Sequence, residues 1–200
     1  MPRLDGRDYG RNTFQKSQRM ESEGMEPIRQ YLRLFDSTVD VLEATVQQQK
    51  EDDIDLIWVR NQNGEITNTT IEVKVDYVGH KTNNFAFELI SSEFHMTLGC
   101  FMKTKSDLFF YYLHETQQLY IMNTEQVRNW FIEEQSKRPF HPNGPRRFKE
   151  FGTHTEIPNV GFYCSLGHLV PIWEVEQGLG ADFYHRDLKK MLADSTPEDL

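Results

Sequence analysis

The chain predicts an α/β domain with a central mixed β-sheet flanked by helices. Two strand-like runs, Ile54–Arg60 (IDLIWVR) and Thr67–Val78 (TNTTIEVKVDYV), flank Asn63-Gly64, a dipeptide that favours a two-residue hairpin turn. Segments of helical character precede this hairpin and alternate with further apolar runs after it. The chain has 200 residues, of which 38% are hydrophobic and 12% aromatic, enough for one domain with a real core.

The elements follow in order. Residues 1–12 are polar and expected to be flexible. Phe14–Phe35 reads as a helix, with a break expected near Met25 because Gly24 and Pro27 flank it. Ser37–Gln49 admits two readings: its alternating apolar positions favour an edge strand, its Leu, Glu and Ala content a helix. After the hairpin, Asn84–Phe101 reads as a helix or a mixed segment. Leu108–His114 and Gln118–Met122 form a second hairpin through Glu115-Thr116-Gln117. Thr124–Ser136 is helical, with Thr124 as cap and Val127, Trp130 and Phe131 as its apolar stripe. Arg138–Gly152 reads as a loop, Val160–Cys164 and His168–Val175 as strands, and Ala181–Leu192 as an amphipathic helix. One domain is expected over residues 13–192, and a disordered acidic tail over 193–200. There is no internal repeat and no low-complexity tract.

The first hairpin also carries the chemistry. A tight turn at Asn63-Gly64 sets Asp55 opposite Glu72 and Asp53 opposite Lys74, with cross-strand Cβ atoms roughly 4.5–5.5 Å apart. In the second strand Ile71, Val73 and Val75 alternate with Glu72, Lys74 and Asp76, so an acid and an amine share the face that Asp55 joins. Facing carboxylates repel, and a divalent metal with oxygen ligands would sit between them. The plain alternative is a solvated polar face, and a β-bulge would remove the alignment.

At Asp55 and Glu72-Val73-Lys74 the chain resembles the PD-(D/E)XK nuclease superfamily, with Ile54 in place of the family's proline. The stretch Thr82–Glu88 (TNNFAFE) is similar to a T-G-N…E run of some phage and bacterial members, with Asn83 in place of the glycine. The resemblance implies a restriction-endonuclease-like core and a strand for Ser37–Gln49. It implies Mg²⁺ or Mn²⁺ held by Asp55, Glu72 and the Val73 carbonyl, with Lys74 orienting water or stabilising the transition state. It also implies a helix glutamate turned toward the metal: Glu26 is the best match, Glu21 and Glu23 the alternatives. The expected reaction is hydrolysis of phosphodiester bonds in DNA. Two rivals stand beside it: a catalytically idle DNA-binding or interaction module, and a hydrolase acting on RNA.

Charge argues the other way at first sight. A net charge of −9 and a pI near 5.3 do not suit a nucleic-acid protein. Several acids, however, belong to the candidate site (Glu51, Asp52, Asp53, Asp55, Glu72, Asp76), where a metal would offset them. Bases gather in Arg3–Arg19 and in Lys137–Lys149, where Arg146, Arg147 and Lys149 are candidate phosphate contacts among Phe140, His141 and Phe148. A solvated loop explains the same cluster equally well.

No window predicts a membrane span, and the first residues lack the apolar stretch of a secretory signal. Two cysteines, Cys100 and Cys164, fit a reducing cytoplasm. DNA is the expected partner, a membrane is not, and a homodimer is admitted. The scattered histidines, the C-S-L-G sequence at Ser165 and the lack of a glycine-rich phosphate loop give no support for zinc, a serine nucleophile or nucleotide binding.

Overall fold

The computed structural model describes residues 9–93, 95–137, 148–157 and 161–194. The elements in chain order are β1 (Tyr9–Thr13), α1 (Phe14–Arg33), β2 (Thr38–Glu43), α2 (Val46–Asp52), β3 (Leu56–Gln62), β4 (Glu65–Asp76), α3 (Gly79–Thr82), β5 (Asn84–Ser92) and β6 (Thr97–Leu98). They continue with α4 (Cys100–Lys103), β7 (Leu108–Leu113), β8 (Gln118–Asn123), α5 (Thr124–Ser136), β9 (Lys149–Ile157), β10 (Gly161–Pro171), α6 (Ile172–Leu179), β11 (Phe183–Asp187) and α7 (Leu188–Asp194). The central sheet is mixed and six-stranded, in the order β11-β8-β7-β4-β3-β2. Only β4 and β7 run parallel within it; the other neighbours are antiparallel. A second, five-stranded sheet has the order β1-β9-β10-β5-β6.

Asn63 (φ 56°) and Gly64 (φ 89°) both take positive φ, as a two-residue primed turn requires. The hairpin therefore closes with Gln62 opposite Glu65 and Leu56 opposite Ile71, the register the sequence predicts.

Both faces of the central sheet are covered. On one, Ile71 and Val73 of β4, Phe110 and Tyr112 of β7, and Leu56 and Trp58 of β3 pack against Ile28, Tyr31 and Leu32 of α1 and Leu188 of α7. On the other, Phe109, Tyr111 and Leu113 of β7 pack against Phe85 and Phe87 of β5, Val170 of β10, and residues of α5 and α6. This explains why Leu108–Leu113 (LFFYYL) is an unbroken apolar run: it is buried on both sides. Removing a fully buried core residue such as Leu56 would cost about 2–5 kcal/mol. Phe87 and Phe101 stack with centroids 4.0 Å apart and tie α4 to the second sheet.

Glu72, Lys74 and Asp76 thus share a face with Phe109, Tyr111 and Leu113; Glu72 is buried there, and Lys74 and Asp76 are half-buried. Asp76 is built into the frame there. Its Oδ1 accepts the N–H groups of Val78 (2.7 Å) and Gly79 (2.8 Å), and its Oδ2 accepts the Tyr111 hydroxyl. Tyr111 in turn accepts the Ala86 N–H at 2.8 Å, so this chain of bonds joins the two sheets.

Several boundaries differ from expectation. α1 runs unbroken through Pro27, and Gly24 serves packing: a Cβ there would lie 2.5 Å from Val75 Cγ2. Ser37–Gln49 divides into β2 and α2, because Thr45 and Gln48 form a capping box that starts a helix. Asn84–Phe101 begins as strand β5, where Phe85 and Phe87 alternate inward. Asn123, not Thr124, caps α5, its side chain accepting the Gln126 N–H at 3.0 Å. The two strands expected over Val160–Val175 are one strand followed by α6, and Ala181–Leu192 is split into β11 and α7. Lys149 opens β9 where a loop was expected; Arg138–Arg147 and the residues after Asp194 lie outside the described residues. Among the described residues no helix is long and apolar enough to cross a membrane.

Candidate active site

The hairpin brings Asp55 to Glu72 by a route that the register alone does not give. The β3–β4 ladder stops at Leu56, one residue after Asp55. The Asp55 N–H donates to the Ile71 carbonyl (2.9 Å), and the Asp55 carbonyl accepts the Ala44 N–H (2.9 Å). The Asp55 side chain then turns along β4, and its Oδ2 accepts the Val73 N–H at 2.8 Å. The carboxylate so replaces the backbone acceptor that β3 no longer supplies. Asp53 does not pair with Lys74. It ends α2 in the left-handed region (φ 46°), and its carboxylate binds Lys103 at 2.8 Å.

Glu72 is buried at 6% exposure. Burial pushes its carboxyl well above the usual range, the nearby Asp55 and Asp53 charges push it further, and Lys74 opposes them. A hydrogen bond between the Asp55 and Glu72 carboxyls acts in the same upward direction, so the two groups are immediate neighbours. Lys74 is held above the ordinary lysine range by the Cys100 sulfur, against the desolvation that lowers it, and by Glu88, Glu72 and Asp76. Burial raises the Cys100 thiol, while Lys74 draws it down.

Asp55 and Glu72 open into a cleft of about 510 Å³, lined also by Ser22, Met25 and Arg29 of α1, Glu43 of β2, Gln49 and Asp53 of the α2 region, and Cys100 of α4. Arg29 Nη2 binds Glu43 Oε1 at 2.5 Å. The α2 wall is pinned by Lys103, Thr104 and Lys105. Lys103 Nζ donates to the Lys50 carbonyl (2.6 Å), Thr104 Oγ1 donates to the Asp53 carbonyl (2.6 Å), and Lys105 pairs with Asp52 (2.6 Å).

The other predicted residues are dispersed. Glu26 is exposed and accepts Gln30 Nε2 at 3.1 Å; the residues of α1 that line the cleft are Ser22, Met25 and Arg29. Lys149 is exposed on β9, while Arg146 and Arg147 lie outside the described residues. Among the described residues no three His, Cys, Asp or Glu side chains form a ready metal cluster. Sequence reasoning missed Arg29, Cys100 and Lys103. The spacing of Ser22, Met25 and Arg29, one face of a helix, was the available signal for the first.

No family model and no curated protein matches the chain. Among solved structures, a nuclease from a fusselovirus is similar over 92% of this chain and 99% of its own, at 11% identity and a TM-score of 0.34.

Proposed function

We propose that the chain is a metal-dependent nuclease that hydrolyses phosphodiester bonds in DNA. The observation that carries this reading is the convergence of the Asp55 and Glu72 carboxylates in one cleft, with Lys74 next to Glu72 on the same face of β4. The donor set suits Mg²⁺ or Mn²⁺. Mg²⁺ is commonly bound through one or two carboxylates and keeps several waters, so it needs no all-protein cage. Two neighbouring carboxyls, one of them buried and pushed up by the other, are a natural place for a divalent cation. Asp55 and Glu72 would hold the ion. The Val73 carbonyl is the third candidate ligand, on the residue whose N–H already fixes Asp55.

A bound ion would supply positive charge to the phosphate and make water a better nucleophile. The rest falls to the chain. Glu72 is set by β4 in the middle of the sheet, so its position is rigid. Asp55 is oriented by the Val73 N–H. Lys74, kept protonated by its acidic neighbours, would donate to a phosphate oxygen as charge builds there. Water oxygen adds to phosphorus and gives up a proton to solvent, the bond from phosphorus to the leaving sugar oxygen breaks, and that oxygen takes up a proton from solvent.

Exposure of Glu26, which leaves no helix glutamate among the described residues lining the cleft, favours a second reading: a nucleic-acid-binding or interaction protein with an idle site. Purified protein incubated with single-stranded, duplex and branched DNA and with RNA, each with Mg²⁺, Mn²⁺ or chelator, separates them. Cleavage of DNA that needs the metal and disappears in Asp55→Ala and Glu72→Ala supports the nuclease. Binding without cleavage across the whole panel supports the idle site, and cleavage confined to RNA changes the substrate.

A further inference from the structure

The cleft poses an electrostatic problem. Glu43, Asp53, Asp55 and Glu72 all line it, and a nucleic-acid strand brings more negative charge. One ion between Asp55 and Glu72 and the Lys103–Asp53 pair still leave Glu43 and the incoming phosphates to be met. Arg29 is the one cation among the described lining residues. It projects from α1 between Ile28 and the pair Tyr31 and Leu32, all buried, so its backbone is anchored to the core.

The guanidinium is only partly used by the protein. Its Nη2 binds Glu43, whose side chain is 67% exposed at the rim, whereas the Arg29 side chain is 23% exposed. Its Nε is buried and has no acceptor. A guanidinium carries several N–H donors in a rigid fork that matches a phosphate, and a single flexible carboxylate does not use them all.

From this arrangement we infer that Arg29 binds a phosphate of the nucleic-acid strand on the α1 wall of the cleft, and that Glu43 occupies it in the free protein. The inference rests on the nuclease reading and adds to it the residue that holds the strand against an acidic surface. Arg29 is a substrate-binding residue here, and Glu43 a competitor for it. An ordinary structural ion pair has no such asymmetry.

The two partners of one ion pair should therefore respond with opposite signs. Binding is measured by fluorescence anisotropy with labelled single-stranded and duplex DNA, with Ca²⁺ in place of Mg²⁺, over a range of salt. Arg29→Gln should weaken binding about tenfold or more. It should also flatten the dependence of log K on log salt by about 0.9 for duplex or 0.7 for single strands. Arg29→Lys should restore the salt slope while recovering only part of the affinity, because an ammonium lacks the fork. Glu43→Gln should leave binding unchanged or tighten it. Thermal melting of each variant checks the fold, and Arg29→Lys carries the test if Arg29→Gln does not fold. Equal losses in Arg29→Gln and Glu43→Gln would assign the pair to structure and overturn the inference. So would unchanged affinity in Arg29→Gln; in either case, metal-dependent cleavage by the wild type leaves the nuclease reading standing. A wild type that neither binds nor cuts any of these nucleic acids overturns both.

Discussion

The Asp55 carboxylate and the Val73 N–H meet at 2.8 Å, so a side chain completes the edge of β4 where the β3 backbone ends. Asp55 therefore has a structural bond and a proposed chemical task at once. Asp55→Ala leaves the Val73 N–H without that acceptor and should lower stability by about 1–3 kcal/mol. Asp55→Asn keeps a carbonyl oxygen for the bond and removes one of two neighbouring charges. It should melt at or above the wild-type temperature while losing Mn²⁺ binding by calorimetry. A large drop for Asp55→Asn in the metal-free protein would show that the charge itself is structural.

The Glu72 carboxyl is raised in the folded protein above its ordinary value of about 4.3. The fold thus favours its protonated form. That contribution is whole below about pH 4.3 and is lost as pH rises through the higher folded value. Metal-free protein should accordingly melt lower as pH is raised from about 4.3 toward 8, by the share this group contributes, and Glu72→Gln should flatten the fall. Saturating Mg²⁺ should reverse the trend if it binds the ionised carboxylates as proposed. Melting curves in chelator and in Mg²⁺ across that pH range check it.

Lys74→Ala should keep the fold and most metal affinity yet lose DNA cleavage by about 10²–10³-fold, the usual cost of one donor to a developing oxyanion. Lys74→Arg should not rescue cleavage, because the planar guanidinium does not fit the space of an ammonium. Cleavage by Lys74→Ala at the wild-type rate would refute the role assigned to it.

Gly24→Ala places a methyl 2.5 Å from Val75 Cγ2, so α1 must move off β4. Overpacking of this kind costs about 1–3 kcal/mol, readable by denaturant titration. An unchanged midpoint would mean that the helix shifts freely.

The parts legible in the sequence are those governed by local rules. Asn63-Gly64 set the hairpin, and strict alternation in β4 separated Val73 from Glu72 and Lys74. The apolar runs Leu108–His114 and Gln118–Met122 announced the second hairpin. Less legible were segments whose neighbours decide the outcome. Asn84–Ser92 becomes a strand because β10 pairs with it, and Phe183–Asp187 because it adds to the edge of β8. The capping box at Thr45 and Gln48 was a local signal that the expectation of a longer strand overlooked. At the site, register pointed to Asp55 and Glu72 but not to the side-chain bond to Val73. Glu26 was favoured for the helix wall, and Ser22, Met25 and Arg29 occupy that wall.

The clamp on α2 has a bearing on how the chain assembles. Lys103 and Asp53 are 50 positions apart, Thr104 and Asp53 51, and Lys105 and Asp52 53, so none of these bonds can form before a long loop has closed. The β3–β4 hairpin, by contrast, closes through a two-residue turn. One wall of the cleft is thus a late, non-local addition to an early, local frame. Loosening it with Lys103→Ala should speed unfolding while leaving the folding rate nearly untouched. A chain that has formed its β3–β4 hairpin can therefore still lack its site.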